Sequence, residues 1–270
     1  MDATERVPSL MVRGGGMSAG DRTIPAETPV AMVYDGGAHA VMMATPADLE
    51  DFAVGFSLSE GIVPDTAAIA RIEAVEQADG IELRMWLVPG RGVELAERRR
   101  RIAGPTGCGL CGVDSLAEAL RPVARVGDGI RLSPDDVMRA MTELAPRQAL
   151  NRETRAVHAA AFWRPGEGIL LVREDVGRHN ALDKLVGALA RAGIDGATGL
   201  LLLTSRVSVE MVQKAAVAGI ATLAAVSAPT ALAVRTAEAA GMTLVAVARR
   251  DGFEIFTRPD RIEGRTADVA

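Results

Sequence analysis

Residues 199–230 read GLLLLTSRVSVEMVQKAAVAGIATLAAVSAPT, and this stretch decides the fold. The four leucines at 200–203 predict a fully buried strand, and a helix is expected at 209–218. A second strand is expected at 222–226, and a helix at 229–239 with Pro229 in its first turn. Because strands alternate with helices here, the stretch predicts a largely parallel, three-layer αβα arrangement.

Similar patterns extend outward from this stretch. In the C-terminal half, helices are expected at 134–144, capped by Ser133, and from about residue 178, with strands at 157–163, 169–172, 243–248 and 253–256. In the N-terminal half, hairpins are expected at 30–45 and 69–88, with a helix between them that begins near residue 45 and ends at Gly61. The predicted fold class is therefore α/β (α+β overall), with a smaller N-terminal α+β domain before the αβα domain.

The predicted domain boundaries follow the changes in composition. They are a flexible tail at 1–22, an N-terminal α+β domain at 23–104, a mobile cysteine loop at 105–112 and an αβα domain at 113–270.

Composition excludes several classes of function. The 270 residues carry a net charge of −5, which argues against a general nucleic-acid binder. The most apolar run is too short to span a bilayer, and the first residues lack the pattern of a signal peptide. We therefore expect a cytoplasmic protein with no membrane or nucleic-acid partner. Only two lysines occur, Lys184 and Lys214, so nearly all of the positive charge is arginine.

The strongest local motif is GPTGCGLCG at 104–112, which contains the only two cysteines, Cys108 and Cys111. Its glycines and proline disfavour regular structure and leave the thiols accessible. A helix expected just after Cys111 favours the thiolate, which suits a cysteine that carries a sulfane sulfur as a persulfide. The pair alone also fits thiol–disulfide chemistry, half of a zinc site or an inert pair. We expect no metal, because none of the three histidines lies at finger-like spacing from the cysteines.

Two further polar stretches follow predicted strands, where α/β sheets usually bind ligands. In REDVGRHNALDK at 173–184, Arg178 and His179 are candidate ligand-binding residues, and His179 is expected to orient Asp183. The alternative is a solvated first helical turn with Asp–Arg pairs.

The second stretch is TSRVSVE at 204–210, in which Ser205 and Arg206 could bind a phosphate at a helix start. Thr230 in SAPT at 227–230 repeats this arrangement one strand later. Simple helix capping, with Arg206 paired to Glu210, is the competing interpretation.

Taken in order, the motifs resemble the FdhD family of formate dehydrogenase accessory sulfurtransferases. The matching pieces are DLEDFAVGF at 48–56 with SEG at 59–61, GCGLCG at 107–112, EDVGRHNA at 174–181, SRVS at 205–208, APT at 228–230 and the run at 253–258. They span about residues 28–262, and several independent motifs in one order are far more specific than the cysteine pair alone.

The resemblance implies a sulfur carrier working between a cysteine desulfurase and formate dehydrogenase. Its substrate would be the Mo-bis(molybdopterin guanine dinucleotide) cofactor, sulfurated before insertion. The resemblance also implies a homodimer and a cytidine-deaminase-like C-terminal fold without zinc. Cys108 matches the persulfide cysteine, and six residues match the segment associated with cofactor binding: Phe253, Glu254, Ile255, Phe256, Thr257 and Arg258.

One departure from the family pattern is visible before Val157-His158. Many members have Thr-Gly-Gly at the place where this chain has Thr154-Arg155-Ala156. If those glycines let a ligand approach closely, the side chains of Arg155 and Ala156 change the surface that the ligand meets. Two other functions remain open from the sequence: a thiol–disulfide oxidoreductase or redox sensor that uses both cysteines, and a nucleotide-binding chaperone that shields the cofactor.

Overall fold

The structure is a computed structural model, and it describes residues 1–89 and 123–264. Twelve strands and six α-helices lie in these two ranges. The strands are β1 Thr4–Arg13, β2 Gly16–Pro25, β3 Thr28–Tyr34, β4 Gly37–Ala44, β5 Ile69–Gln77, β6 Gly80–Leu87, β7 His158–Arg164, β8 Gly168–Asp175, β9 Leu200–Leu203, β10 Thr222–Ala225, β11 Thr243–Arg249 and β12 Gly252–Thr257. The helices are α1 Leu49–Ser59, α2 Pro134–Arg147, α3 Ala149–Thr154, α4 Arg178–Ala192, α5 Val209–Val217 and α6 Ala231–Ala240.

A six-stranded sheet forms the centre of the C-terminal half, in the order β12-β11-β10-β9-β7-β8. The prediction of a largely parallel sheet is wrong. Only β9, β10 and β11 are parallel, whereas β7, β8 and β12 join antiparallel. Strands β8 and β12 are antiparallel to β7 and β11 because each pair is a hairpin, and a short turn can connect only antiparallel neighbours.

Helices cover both faces of this sheet, as the three-layer prediction requires. Alternate residues of β9 point to opposite cores: Leu201 and Leu203 pack with α4, α5 and α6, while Leu200 and Leu202 pack with α2. The capping prediction for Ser133 is confirmed, because its side chain and that of Asp136 form a reciprocal capping box at the start of α2. The cytidine-deaminase-like character of this domain stays a prediction.

A four-stranded sheet, in the order β4-β3-β6-β5, forms the smaller N-terminal unit with α1. The predicted hairpin at 30–45 is confirmed, and its turn places Asp35 and Gly36 at positive φ (48° and 79°). Glycine adopts this backbone region without steric cost, which explains the Asp-Gly signal.

Helix α1 joins the two units by packing directly on α4. A Cβ added to Gly55 would lie 1.7 Å from the carbonyl oxygen of Asp183, and one added to Gly187 would lie 1.9 Å from that of Asp51. Both positions therefore require glycine, and the two helix backbones approach as closely as side chains allow. The sequence prediction of separate domains did not anticipate this contact.

The first residues correct another prediction. Residues 4–22, interpreted from sequence as part of a flexible tail at 1–22, lie in the two-stranded antiparallel hairpin β1–β2, which continues to Pro25. The pattern was missed because both strands are almost wholly exposed, so no buried side alternates with an exposed one. Within the described ranges, no helix is long and apolar enough to cross a membrane.

Candidate functional site

One edge of the six-stranded sheet gathers the polar stretches predicted from the sequence. The parallel strands β9, β10 and β11 end there, and β8 ends there too, because it is antiparallel to β7 and β7 is antiparallel to β9. We call this the carboxyl edge and define it by residues 175–179, 204–210 and 226–231. Helices α4, α5 and α6 all begin at it, so three sets of free backbone N–H groups point the same way.

The start of α4 is anchored from beneath by a buried ion pair. Asp175 and Lys184 are both fully buried, and the Lys184 Nζ atom lies 2.7 Å from the Asp175 Oδ2 atom. The same carboxylate accepts hydrogen bonds from the backbone N–H of Thr45 and Gly177 and from the Asn180 amide. Both carboxylate oxygens of Asp175 are therefore satisfied, and the Asn180 amide also donates to the Met43 carbonyl, so these two side chains hold the α4 start to the N-terminal unit.

His179 and Glu210 form the most unusual polar contact at the edge. The His179 Nε2 atom lies 4.0 Å from the Glu210 Oε2 atom, and the two side chains are only 15% and 16% exposed. Neither of these atoms, nor the Ser208 Oγ atom, has a hydrogen-bond partner within the described residues, although all three are buried. Buried polar atoms cost about 1–3 kcal/mol each when left unpaired, so this cluster favours a bound water or ligand group between α4 and α5.

Burial, together with the nearby cations of Arg178 and Lys214, lowers the pKa of His179 to about 4 against the opposing charges of Glu210 and Glu60. His179 is therefore neutral at neutral pH, with one ring nitrogen able to donate and the other to accept. Burial and Arg178 also lower the pKa of His158, the first residue of β7 at the same edge. The edge thus presents neutral imidazoles beside fixed positive charge.

The start of α5 carries the predicted phosphate-binding side chains. Ser205 is buried, and its hydroxyl donates to the carbonyl of Arg206. Arg206 itself is exposed, and no ion pair joins it to Glu210 among the described residues. The interpretation of Arg206 as an intrahelical partner of Glu210 is therefore wrong in this structure, since Glu210 turns towards His179 instead.

The start of α6 lies beside that of α5. The Thr230 backbone N–H donates to the Val207 carbonyl at 2.9 Å, which ties the two loops together. The Thr230 side chain accepts from the Ala233 N–H, so it acts as the helix cap. Helix α6 begins at Ala231, two residues later than predicted, and Pro229 therefore precedes the cap.

Comparisons with known proteins agree with this architecture and sequence. The model of the FdhD/NarQ family matches residues 25–263. The chain belongs to the FdhD/NarQ family. A sulfur carrier protein FdhD from Agrobacterium fabrum is 53% identical over 258 residues, covering 95% of both chains. Another sulfur carrier protein FdhD, from Bordetella petrii, is 50% identical over 259 residues, covering 95% of this chain and 93% of its own.

A solved structure shares the fold. The crystal structure of a putative formate dehydrogenase accessory protein from Desulfotalea psychrophila matches with a TM-score of 0.75 and covers 97% of this chain and 100% of its own. At 24% sequence identity this likeness establishes the fold alone.

The predicted site residues of this FdhD/NarQ chain do not all meet. Arg178, His179, Ser205, Arg206 and Thr230 lie at the carboxyl edge, on the starts of three neighbouring helices or in the loops that lead to them. Cys108 and Cys111 lie outside the described residues. Among the described residues, no three or more His, Cys, Asp or Glu side chains are grouped to hold a metal ion.

The predicted cofactor segment runs away from this edge. Strand β12 pairs antiparallel with β11, and its register places Gly252 opposite Arg249 and Thr257 opposite Leu244. Phe253 and Glu254 therefore lie near the carboxyl edge, whereas Thr257 and Arg258 lie at the far end, ~16 Å away at ~3.3 Å per residue.

The two phenylalanines of the segment lie on opposite faces of the sheet. Phe253 packs with the α2 side of the sheet and Phe256 with the α4–α6 side. A single pocket at the carboxyl edge can use the start of this segment but not all of it.

Two features of the edge escaped the sequence analysis. Val247 has φ 53°, a left-handed conformation that a β-branched residue rarely adopts, where β11 bulges against β12. His179 was expected to orient Asp183, but Asp183 accepts instead from Ser59 and Lys214. The sequence did carry one signal for this second network: Lys214 is one of only two lysines, and both are buried in ion pairs.

Proposed function

We propose that this chain is a sulfur carrier that accepts a sulfane sulfur on Cys108 from a cysteine desulfurase. It then passes the sulfur to the Mo-bis(molybdopterin guanine dinucleotide) cofactor before that cofactor enters formate dehydrogenase. The observation that carries the proposal is the 53% identity over 95% of the chain to a sulfur carrier protein FdhD, together with a cysteine pair in a glycine-rich motif. We place these steps in the cytoplasm.

The first step is a thiol–persulfide exchange. The Cys108 thiolate attacks the outer sulfur of the desulfurase persulfide, forms a new S–S bond and releases the desulfurase thiolate. In the second step the Cys111 thiol attacks the inner sulfur of Cys108, and sulfide leaves as a disulfide forms. Sulfide then replaces an oxygen on the metal of the substrate cofactor with loss of water, and a cellular dithiol reduces the disulfide.

The carboxyl edge supports the binding of the cofactor's phosphates. Three helix starts, the exposed Arg206 guanidinium and the Arg178 side chain bring backbone donors and positive charge to one place in a chain with net charge −5. Since His179 is neutral at neutral pH, it can both donate to and accept from a polar ligand atom without adding charge. The whole 253–258 segment does not join this edge, and we propose that only Phe253 and Glu254 do.

Intact mass spectrometry tests the sulfur-carrier step. Wild-type chain, Cys108→Ala and Cys111→Ala are each incubated with a cysteine desulfurase and cysteine. We expect wild type and Cys111→Ala to gain the mass of one sulfur and Cys108→Ala to gain none. If wild type loses two hydrogens while Cys111→Ala, which cannot form the internal disulfide, gains no sulfur, the result supports the thiol–disulfide oxidoreductase instead. No change in any of the three proteins supports a cofactor-shielding chaperone.

Titration with GDP, a fragment of the cofactor, tests the binding edge. We expect weak binding, preferred over ADP, that Arg206→Ala weakens more at low salt than at high salt, because exposed ionic contacts are screened. Arg131→Ala is the matched control, since Arg131 is exposed away from the carboxyl edge. Equal affinities for wild type and Arg206→Ala would remove Arg206 from the site.

A further inference from the structure

Glu210 differs from the other acids of residues 1–89 and 123–264, because its Oε2 atom is buried without a hydrogen-bond donor. The three buried acids of these ranges all lie in ion pairs: Asp51 with Arg173, Asp175 with Lys184 and Asp183 with Lys214. A buried charged acceptor is unfavourable when it is left unpaired. The Glu210 carboxylate therefore favours a ligand that brings N–H or O–H donors to the carboxyl edge.

The surroundings of Glu210 explain its charge but do not satisfy its oxygen. It lies in the first turn of α5, where the helix dipole favours an acid. His179 is neutral at neutral pH, and its Nε2 atom, 4.0 Å away, is too far for a hydrogen bond. Lys214, one turn further along α5, donates to Asp183 and Glu60 instead. The donor for Glu210 is thus left for a ligand to supply.

Two further unpaired atoms adjoin this pair along the chain. The Ser208 Oγ atom, at the start of α5, makes no capping hydrogen bond, and the Arg178 Nε atom, next to His179, also lacks a partner within the described ranges. The Arg178 group can only donate, the Ser208 hydroxyl can donate or accept, and the Glu210 carboxylate can only accept. A ligand group that satisfies all three carries adjacent N–H donors beside an acceptor.

Two parts of the proposed substrate carry such an edge, and its phosphates do not. A phosphate offers acceptors, which a carboxylate repels. Guanine presents two adjacent donors, N1–H and N2–H, beside the acceptor O6, and the pterin ring has the same amino-oxo edge. Adenine presents an acceptor at N1, so it places a lone pair where the carboxylate needs a hydrogen. One carboxylate can accept both donors of the amino-oxo edge at once.

We propose that Glu210 is a specificity-determining residue that accepts hydrogen bonds from the amino-oxo edge of a guanine or pterin ring of the cofactor. The inference rests on the proposed function and adds to it the residue that selects the ring. Arg206 attracts the phosphates of any nucleotide, whereas Glu210, four residues later, admits only a ring with donors on this edge. Ser208 and Arg178 then supply donors for the ring oxygen.

Two Glu→Gln variants form a matched pair for the test. Glu210→Gln keeps the size of the side chain and removes its charge, and Glu238→Gln makes the same change at an exposed acid in the last turn of α6, away from the carboxyl edge. Calorimetric titration of the full chain with GDP, IDP, ADP and free pterin measures the affinities. IDP is GDP without the 2-amino group, so it isolates one donor. Thermal unfolding checks that each protein is folded.

We expect Glu210→Gln to weaken binding of GDP or pterin at least ~10-fold and to leave ADP within ~3-fold, because the lost bonds are made only by the amino-oxo edge. The variant should also lose most of the preference for GDP over IDP if the ring is guanine. An effect on GDP alone assigns the ring to guanine, and an effect on pterin alone assigns it to pterin. Glu238→Gln should change each affinity by less than ~2-fold.

Three results overturn the inference: a wild type that binds neither GDP nor pterin, a Glu210→Gln variant with wild-type affinities, or one that weakens every ligand equally. Unchanged affinities would leave the buried oxygen to a bound water. Sulfur loading separates these failures from failure of the proposed function. Glu210→Gln should still gain one sulfur on Cys108 by intact mass, whereas a wild type that gains none would contradict the sulfur carrier itself.

Discussion

His179 is the residue of the carboxyl edge whose protonation state the structure defines most clearly. Its neutral state at neutral pH comes from burial and from the charges of Arg178 and Lys214, which outweigh those of Glu210 and Glu60. The sequence showed that His179 follows a strand and begins a helix. It could not show which acid lies nearest, because Glu210 reaches it from a different helix, 31 residues away along the chain.

The lowered pKa of His179 makes a prediction about stability and pH. Between pH 6.5 and about 4 the unfolded chain binds a proton at this imidazole that the folded chain does not, so folding stability falls as the pH is lowered through this range. We expect wild type to lose on the order of 1–2 kcal/mol more than His179→Gln between pH 7 and pH 5. Urea unfolding of both proteins at pH 7, 6 and 5 measures the difference, and parallel losses would contradict it.

Arg155 lies where this chain departs from the family pattern, and its backbone conformation is strained there. It ends α3 with φ 59°, a left-handed conformation that glycine adopts without penalty and arginine does not. The family resemblance marked this position as one where glycine is expected, and the backbone angle gives the physical reason why glycine would suit it.

We predict that Arg155→Gly raises the free energy of unfolding by about 0.5–1 kcal/mol, because it relieves the left-handed strain at the end of α3. Arg152→Gly, in the same short helix but at an ordinary helical position, should lower it by about 0.5–1 kcal/mol. Chemical denaturation of both variants provides the measurement. Destabilisation by Arg155→Gly would mean that the arginine side chain itself supports the fold.

At the scale of elements, the α1–α4–α5 junction holds the two units of the chain together. The Lys214 Nζ atom on α5 donates to both carboxylate oxygens of Asp183 on α4 at 2.9 and 3.0 Å, and to Ser59 and Glu60 at the end of α1. Burial raises the pKa of the Asp183 carboxyl, with Lys214 opposing that shift. Burial also opposes the charged form of Lys214, but Asp183 and Glu60 outweigh it and raise the lysine pKa.

Removing one member of this buried pair should lower the free energy of unfolding far more than removing both members does. Lys214→Met leaves Asp183 as an unpaired buried acid, and we expect it to lower the free energy of unfolding by about 3–5 kcal/mol. Adding Asp183→Leu should recover most of that loss, because an apolar pair of similar volume carries no desolvation cost. Glu60→Gln changes a side chain that is 36% exposed, and it should lower the free energy of unfolding by less than about 1 kcal/mol. Additive effects in a double-mutant cycle would contradict this account.

The elements themselves were largely predictable, and their arrangement was not. The leucines of β9, the Ser133 cap and the Asp35-Gly36 turn are local signals, and the structure confirms each of them. The antiparallel strands at the sheet edges and the glycine contact between α1 and α4 depend on residues far apart in sequence. The hydrophobic period of a segment and the helix or strand propensity of its residues carry no information about such pairings.

At the scale of the whole molecule, the carboxyl edge and the buried junction lie on the same two helices. Helices α4 and α5 present His179 and Glu210 at their starts, and one turn further on they hold Asp183 and Lys214. The junction therefore positions the starts of both helices against the N-terminal unit. The site residues at the edge were predictable as motifs, whereas this support beneath them depends on contacts between α1, α4 and α5 that no local pattern shows.

The central claim is that sulfur passes through Cys108 to the cofactor of formate dehydrogenase. The most direct test loads the chain with ³⁵S from labelled cysteine and a desulfurase, and removes both. Free unsulfurated cofactor is then added, followed by formate dehydrogenase that lacks its cofactor. We predict that label leaves the chain and appears in the enzyme as formate oxidation rises, with none of this for Cys108→Ala and a smaller or equal loss for Cys111→Ala. Full activation of the enzyme by Cys108→Ala, or activation while the label stays on the wild-type chain, would contradict the account.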